Sequence, residues 1–210
     1  MPLTVISDGR TPWELFAKQR MIANSRADLC SRILKRDLLW KWITERYKPD
    51  ECAIYLGLDW TEEHRIVNTR KCRPGWNIYA PMMHEPVWSK QRMLDELTEL
   101  GITIPRLYSM GFPHNNCGGF CVKAGQAQFA HLLRKMPERY AFHEAEEEKM
   151  RMSLGKNVSV LKDRRGKTSK PLTLKVLREW IESGTEFDTH DWGGCGCAVD
   201  KIPRLRGAIP

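Results

Sequence analysis

The chain has 210 residues, of which 41% are hydrophobic and 29% charged, and its formal net charge is +8. No apolar run approaches the roughly 20 residues of a membrane span, so we expect no membrane-embedded segment. This length supports one sizeable domain, or one domain with a small appendage. The positive charge favours an anionic partner, which is either a nucleotide phosphate or a nucleic acid.

The cysteine content points to the cellular compartment. There are seven cysteines, an odd number that includes two closely spaced pairs. This pattern argues against a secreted disulfide framework and favours a reducing interior with metal-binding or reactive thiols. The first residues lack the basic and apolar regions of a signal peptide. We therefore expect a cytoplasmic protein.

The first half of the chain alternates predicted strands and helices. Residues 3–6 are apolar and predict a short strand. Thr11 followed by Pro12 is typical of a helix start. Apolar residues recur at helical spacing over residues 30–47 and predict a long helix. The continuous apolar run at residues 52–57, which ends in glycine, predicts a buried parallel strand.

The second half is mostly helical. Residues 86–100 predict an amphipathic helix that Gly101 caps. A basic turn at residues 162–170 lies between two short extended segments. Further helices are predicted at residues 125–135, 140–154 and 173–183. The sequence therefore predicts an α/β domain over residues 1–125 and a helical extension over residues 126–210.

Two thiol pairs lie in glycine-rich segments. Cys117 and Cys121 belong to the run Asn-Asn-Cys-Gly-Gly-Phe-Cys, and the second pair is Cys195-Gly-Cys197. Glycine lets side chains converge on one point, as a soft metal or an iron–sulfur cluster requires. The alternative is a pair of buried structural cysteines. The two pairs form one site only if the fold returns the chain end to residue 117.

Three further segments are candidates for chemistry. Cys30 begins a predicted helix, where the helix dipole and neighbouring basic residues lower a thiol pKa; the alternative is a half-buried helix cysteine. The polar segment 57–65 follows a predicted strand, where open α/β sheets bind ligands; the alternative is a solvated turn that opens a helix. The basic turn at residues 162–170 is interpreted as a solvated hairpin, with a phosphate clamp as the alternative.

These segments resemble the phosphoadenosine phosphosulfate reductase family of the adenine nucleotide alpha-hydrolase-like (PP-loop) superfamily. Cys30-Ser-Arg-Ile-Leu-Lys35 is similar to that family's Cys-Cys-x-x-x-Lys segment. The run from Gly57 to Arg65 is similar to its Gly-x-Arg-x-x-Glu/Gln-Ser-x-x-Arg segment. Residues 81–121, with Glu-Pro-Val-Trp and Pro-Arg-Leu-Tyr, resemble its Trp…Pro-Leu-Tyr…Gly-Cys-x-x-Cys run. The tail up to Cys197 resembles a phage and bacterial subgroup.

The resemblance implies a partial Rossmann-like (HUP-type) parallel sheet and sulfur chemistry, either sulfonucleotide reduction or sulfur transfer. It implies an iron–sulfur cluster on Cys30, Cys117, Cys121 and one or both of Cys195 and Cys197, with Cys30 as the catalytic thiol. An adenine nucleotide or sulfonucleotide is the implied substrate. The implied nucleotide- and substrate-binding residues are Lys35, Gly57, Asp59, Glu62 and Arg65.

The chain also departs from that family. It lacks the Ser-Gly-Gly-x-Asp-Ser phosphate loop, so a partner chain or a second copy is expected to supply one. Ser31 replaces a second cysteine, and Asp59 stands in place of an arginine. Cys117 and Cys121 are separated by one extra residue. The alternative function is a non-catalytic binding module, in which the cysteines hold a structural zinc and the partner is a nucleic acid.

Overall fold

The computed structural model describes residues 3–24, 27 and 29–194. These residues form two compact units, which we call the sheet unit (residues 3–6 and 35–103) and the helical unit (residues 7–34 and 104–194). The predicted division at residue 125 coincides with neither boundary, because residues 7–34 belong with the later helices. Within the described ranges, no helix is long and apolar enough to cross a membrane.

The sheet unit contains two parallel strands. Strand β1 pairs with β2 in register, with Ile54 opposite Ile78. The intervening helix provides the crossover that parallel strands need. Buried Leu58, Ile66, Ile78 and Ala80 form the core. Its elements are α3 (Leu38–Thr44), β1 (Ala53–Tyr55), α4 (Glu63–Cys72), β2 (Asn77–Tyr79) and α5 (Lys90–Glu99).

One face of this sheet is exposed. Tyr55 and Tyr79 are 67% and 46% exposed, and their rings stack with centroids 5.5 Å apart. Only the opposite face, through Ile54 and Ile78, packs into the core. The prediction of a parallel strand is confirmed, whereas its predicted burial on both faces is wrong, because side chains alternate across a strand and one face here is uncovered.

Residues 3–6 do not form the predicted strand. They are irregular, and Leu3 and Val5 are 89% and 81% exposed. A strand needs a neighbouring strand for its backbone hydrogen bonds, and β1 and β2 pair with each other. The apolar composition of residues 3–6 was therefore not sufficient to specify a strand.

The helical unit is built around one core. Helix α1 begins with a capping box between Thr11 and Glu14, and it buries Leu15 and Phe16 completely. A π-helical segment, Arg32–Asp37, follows α2. The elements are α1 (Pro12–Gln19), α2 (Leu29–Ser31), α6 (Arg106–Ser109), α7 (Gln126–Lys135), α8 (Pro137–Leu154), β3 (Leu161–Asp163), β4 (Lys170–Leu172) and α9 (Leu174–Ser183).

The antiparallel β3–β4 hairpin is fixed to α8 by buried polar groups. The carboxylate of Glu147, 1% exposed, accepts hydrogen bonds from the backbone N–H groups of Val160 (2.8 Å) and Leu174 (2.6 Å). The Tyr140 hydroxyl donates to the carbonyl oxygen of Leu174 at 2.6 Å. These bonds satisfy backbone groups that would otherwise be buried at a cost. They hold the hairpin and the start of α9 in place.

Candidate functional site

The cysteine loop, residues 113–121, lies between α6 and α7. A 3₁₀ turn spans Cys117–Gly119, with φ of 53° at Cys117 and 60° at Gly118. A residue other than glycine rarely adopts positive φ, and such residues are concentrated at functional sites. Cys117 is exposed and Cys121 is half-buried. The loop therefore presents one thiol to solvent and the other toward the core.

Arg139 of α8 holds this loop from one side. Its guanidinium donates to the carbonyl oxygen of Cys117 at 3.2 Å. A Cβ atom at Gly118 would overlap the same guanidinium, so only glycine fits this approach. A fixed positive charge therefore lies beside the loop, where it favours anionic ligands and thiolates.

The end of the described chain returns to this loop. The N–H of Gly194 donates to the carbonyl oxygen of Lys123 at 3.1 Å, and the N–H of Ala127 donates to the carbonyl oxygen of Asp191 at 2.9 Å. Ala124 and Gly193 form an antiparallel bridge. A Cβ atom at Gly193 would overlap the Lys123 carbonyl oxygen, and its φ of 68° also favours glycine. Residues 191–194 thus run along residues 123–127.

A small open pocket lies at this junction. Its empty volume is about 230 Å³. Gln128 forms one wall, and its amide donates to the carbonyl oxygen of Gly119 at 2.9 Å. Trp192, 38% exposed, forms another, and its ring centroid lies 5.7 Å from that of His131. The lining residues are His114, Asn116, Cys121, Ala124, Gln128, Trp192 and Gly194.

Aromatic rings support the loop from beneath. The indole N–H of Trp13 donates to Nδ1 of His143 at 2.9 Å, and the His143 ring stacks on Phe120 with centroids 3.7 Å apart. Burial, with a contribution from the Arg139 charge, lowers the pKa of His143 to about 4. The imidazole is therefore neutral at physiological pH, and it orients Phe120, the neighbour of Cys121.

The predicted thiol ligands lie in three places. Cys30 and Cys121 pack against the same hydrophobic core, and Cys117 lies in the same unit. Cys195 and Cys197 lie outside the described residues. Within residues 3–24, 27 and 29–194, no three His, Cys, Asp or Glu side chains are grouped as metal ligands. The shared cluster of the two pairs stays a prediction.

The predicted nucleotide-binding residues lie in the sheet unit. Asp59 and Glu62 form a capping box, in which the Asp59 carboxylate accepts from the N–H of Thr61 at 2.9 Å. Glu62 also forms an ion pair with Arg65, which is 7% exposed. These contacts fit the alternative interpretation, a polar turn that opens a helix. Lys35 lies in the π-helical segment, and a Cβ atom at Gly57 would meet no atom within 4 Å. Their binding role stays a prediction.

Sequence reasoning missed three residues of the site. Arg139, His143 and Trp192 act on the loop through contacts that span more than 20 residues of sequence. Arg139 and His143 occupy a helix whose charged composition indicates a solvated face. Only Trp192, a large aromatic residue beside two glycines, carried a local signal.

Comparison with family models gave no match. No curated protein and no solved structure matches the chain significantly either. Its function is therefore argued from the residues of the site.

Proposed function

We propose that the helical unit holds an iron–sulfur cluster and that the chain carries out sulfur chemistry of the phosphoadenosine phosphosulfate reductase type, either sulfonucleotide reduction or sulfur transfer. The proposed ligands are Cys30, Cys117, Cys121 and one or both of Cys195 and Cys197. One observation carries the proposal. Gly194, the residue that precedes Cys195 in sequence, lines the same pocket as Cys121. This is the return of the chain end that a site shared by both pairs requires.

The donor set fits such a cluster. Iron–sulfur clusters are held by cysteine thiolates, and glycine-rich turns let those thiolates converge. A cluster with four thiolate ligands is anionic, so the Arg139 guanidinium beside Cys117 favours its retention. When bound, the cluster would supply electron transfer or handling of sulfur at the pocket.

The chain's own residues have separable roles in this proposal. Gln128 fixes the Gly119 carbonyl and so holds the loop between the two thiols. His143, neutral and stacked on Phe120, keeps the base of the loop apolar. Trp192 covers one side of the pocket and limits the access of water to the thiols. A sulfur-containing substrate would enter beside Trp192 and His114.

The sheet unit is proposed to be part of a Rossmann-like nucleotide-binding sheet. Its parallel strands and helical crossover support this assignment, and segment 57–65 follows β1 directly. The exposed Tyr55 and Tyr79 face is where additional structure would be added. A partner chain or a second copy that carries the phosphate loop would complete the adenine nucleotide site.

Metal analysis of anaerobically purified protein tests the proposal. Iron and acid-labile sulfide in comparable amounts, with visible absorbance, would support the cluster. Cys117→Ser and Cys121→Ser should lose iron, whereas Cys52→Ser, which changes a thiol of the sheet unit, should retain it. Equal iron content in all three variants would show that the ligands are wrongly assigned.

The second candidate is a non-catalytic module with a structural zinc. The exposed face of the two-stranded sheet favours it, because this chain alone then lacks a complete nucleotide site. Four thiolates satisfy tetrahedral zinc without an open position. Colourless protein with one zinc per chain would establish this candidate and overturn the first. Calorimetric titration of the chain with ATP or adenosine phosphosulfate should give weak or no binding, and tight binding would contradict the need for a partner.

A further inference from the structure

The tip of the β3–β4 hairpin is strongly basic. Between residues 162 and 170 the sequence has five basic residues and one acidic residue. Arg164, Lys167 and Lys170 are exposed. Residues 166–170 are Gly-Lys-Thr-Ser-Lys and contain no large apolar side chain. A surface of this kind attracts phosphates but lacks the apolar groups that insert into a lipid surface.

The hairpin is held in a fixed conformation. The Arg165 guanidinium lies 4.1 Å from the centroid of the Trp180 ring and donates to the Asp163 carboxylate at 2.9 Å. Glu147 fixes both ends of the hairpin to α8, as described above. A binding surface with a fixed backbone loses less conformational freedom when it binds a ligand.

The same hairpin is joined to the wall of the cysteine pocket. The amide of Gln126 donates to the carbonyl oxygen of Lys162 at 3.2 Å and accepts from the N–H of Asp188 at 3.1 Å. The Arg164 guanidinium lies 3.8 Å from the Asp191 carboxylate. Trp192, the next residue, is 38% exposed and lines the pocket. Basic side chains and an accessible aromatic ring are therefore adjacent.

We propose that the hairpin and Trp192 bind a single-stranded nucleic acid. Arg164, Lys167 and Lys170 contact its phosphates, and an unpaired base stacks on Trp192 at the pocket. Basic grooves with aromatic platforms are the common means of binding single strands. A paired base could not reach Trp192, because the ring forms part of a recess. The inference does not rest on the cluster, since none of these contacts involves a thiol.

Fluorescence anisotropy with a labelled oligothymidylate of about 20 nucleotides tests the proposal, since single-strand sites cover fewer nucleotides than that. Lys167→Ala/Lys170→Ala should weaken binding and reduce the slope of log Kobs against log salt by about 1.4, or about 0.7 for each phosphate contact. The matched control is Lys149→Ala/Lys156→Ala, which removes the same charge from exposed positions of the same unit. This control should leave the slope unchanged.

Trp192 separates stacking from general attraction between charges. Trp192→Ala should weaken binding about tenfold without changing the salt slope, because stacking releases no counterions. Trp192→Phe should restore most of the affinity. Thermal unfolding checks that each variant is folded.

Three results would overturn the proposal. The control pair might lose as much affinity as the hairpin pair, a duplex of equal length might bind as tightly as the single strand, or Trp192→Ala might have no effect. Each would show unspecific attraction of a polyanion to a basic protein. Loss of iron in Cys117→Ser with unchanged oligonucleotide binding would separate this surface from the cluster.

Discussion

The backbone N–H of Gly194 donates a hydrogen bond to the carbonyl oxygen of Lys123, 71 positions earlier in the chain. This bond and the Ala124–Gly193 bridge place residues 191–194 beside the cysteine loop. Cys121 and Gly194 consequently line one pocket. A site made from both ends of the helical unit is therefore linked to the folding of that unit.

Gly193→Ala should disrupt this junction. Its φ is 68°, and the new Cβ would overlap the Lys123 carbonyl oxygen, so residues 191–194 should separate from the loop. We expect a loss of metal together with destabilisation of about 1–3 kcal/mol. Gly184→Ala is the control, because Gly184 has a φ of 72° with no atom within 4 Å of an added Cβ. It should lower stability and retain the metal. Metal assay and urea unfolding distinguish the two variants.

Arg139→Met should weaken metal retention without preventing folding. The variant loses the guanidinium that donates to Cys117 and leaves that carbonyl oxygen without this donor. A hydrogen bond to a charged group contributes about 1.5–3 kcal/mol, which partial exposure reduces to about 1 kcal/mol here. The rate at which a chelator removes metal should therefore rise severalfold. Arg134→Met, which removes an exposed arginine of α7, should leave the rate unchanged, and equal rates would contradict the role of Arg139.

Glu147→Gln should reveal a rise in stability with pH. Burial raises the pKa of Glu147 to about 7 from its ordinary value of 4.5. The folded state then binds more protons than the unfolded state between those pH values, so Glu147 makes the free energy of unfolding fall as pH rises. At 1.36 kcal/mol per pKa unit, this decrease is on the order of 3 kcal/mol. The variant lacks this decrease, whereas Glu148→Gln should behave like the parent protein.

His143→Gln should reveal the opposite trend. Burial lowers the pKa of His143 to about 4 from 6.5, so the unfolded state binds more protons between those values. His143 therefore makes the free energy of unfolding rise as pH increases from about 4 to about 6.5. Glutamine keeps an acceptor for the Trp13 indole N–H but cannot titrate. Its stability should fall with pH where the parent protein changes little, because the two effects oppose each other in the parent. Urea unfolding across this pH range measures both variants, and parallel curves for variant and parent would refute the assignment.

Local sequence signals predicted the helices well. The capping residues Thr11 and Thr173 each accept a hydrogen bond from the third residue of their helix. Helices α7, α8 and α9 match their predicted ranges within a few residues. These features depend on contacts within one or two turns, which a sequence window contains. The two strands that flank the basic turn were predictable for the same reason.

The sequence by itself determined which residue types were available for chemistry: glycine-flanked thiols, a basic turn and a tryptophan near the end of the described chain. It did not determine their neighbours. The proximity of Arg139 to Cys117, of Asp191 to Gln126 and of Gly194 to Lys123 was decided only by the tertiary structure. Such contacts depend on how α1, α7, α8 and α9 pack around one core, and this packing is set by burial over the whole unit rather than by spacing along the chain.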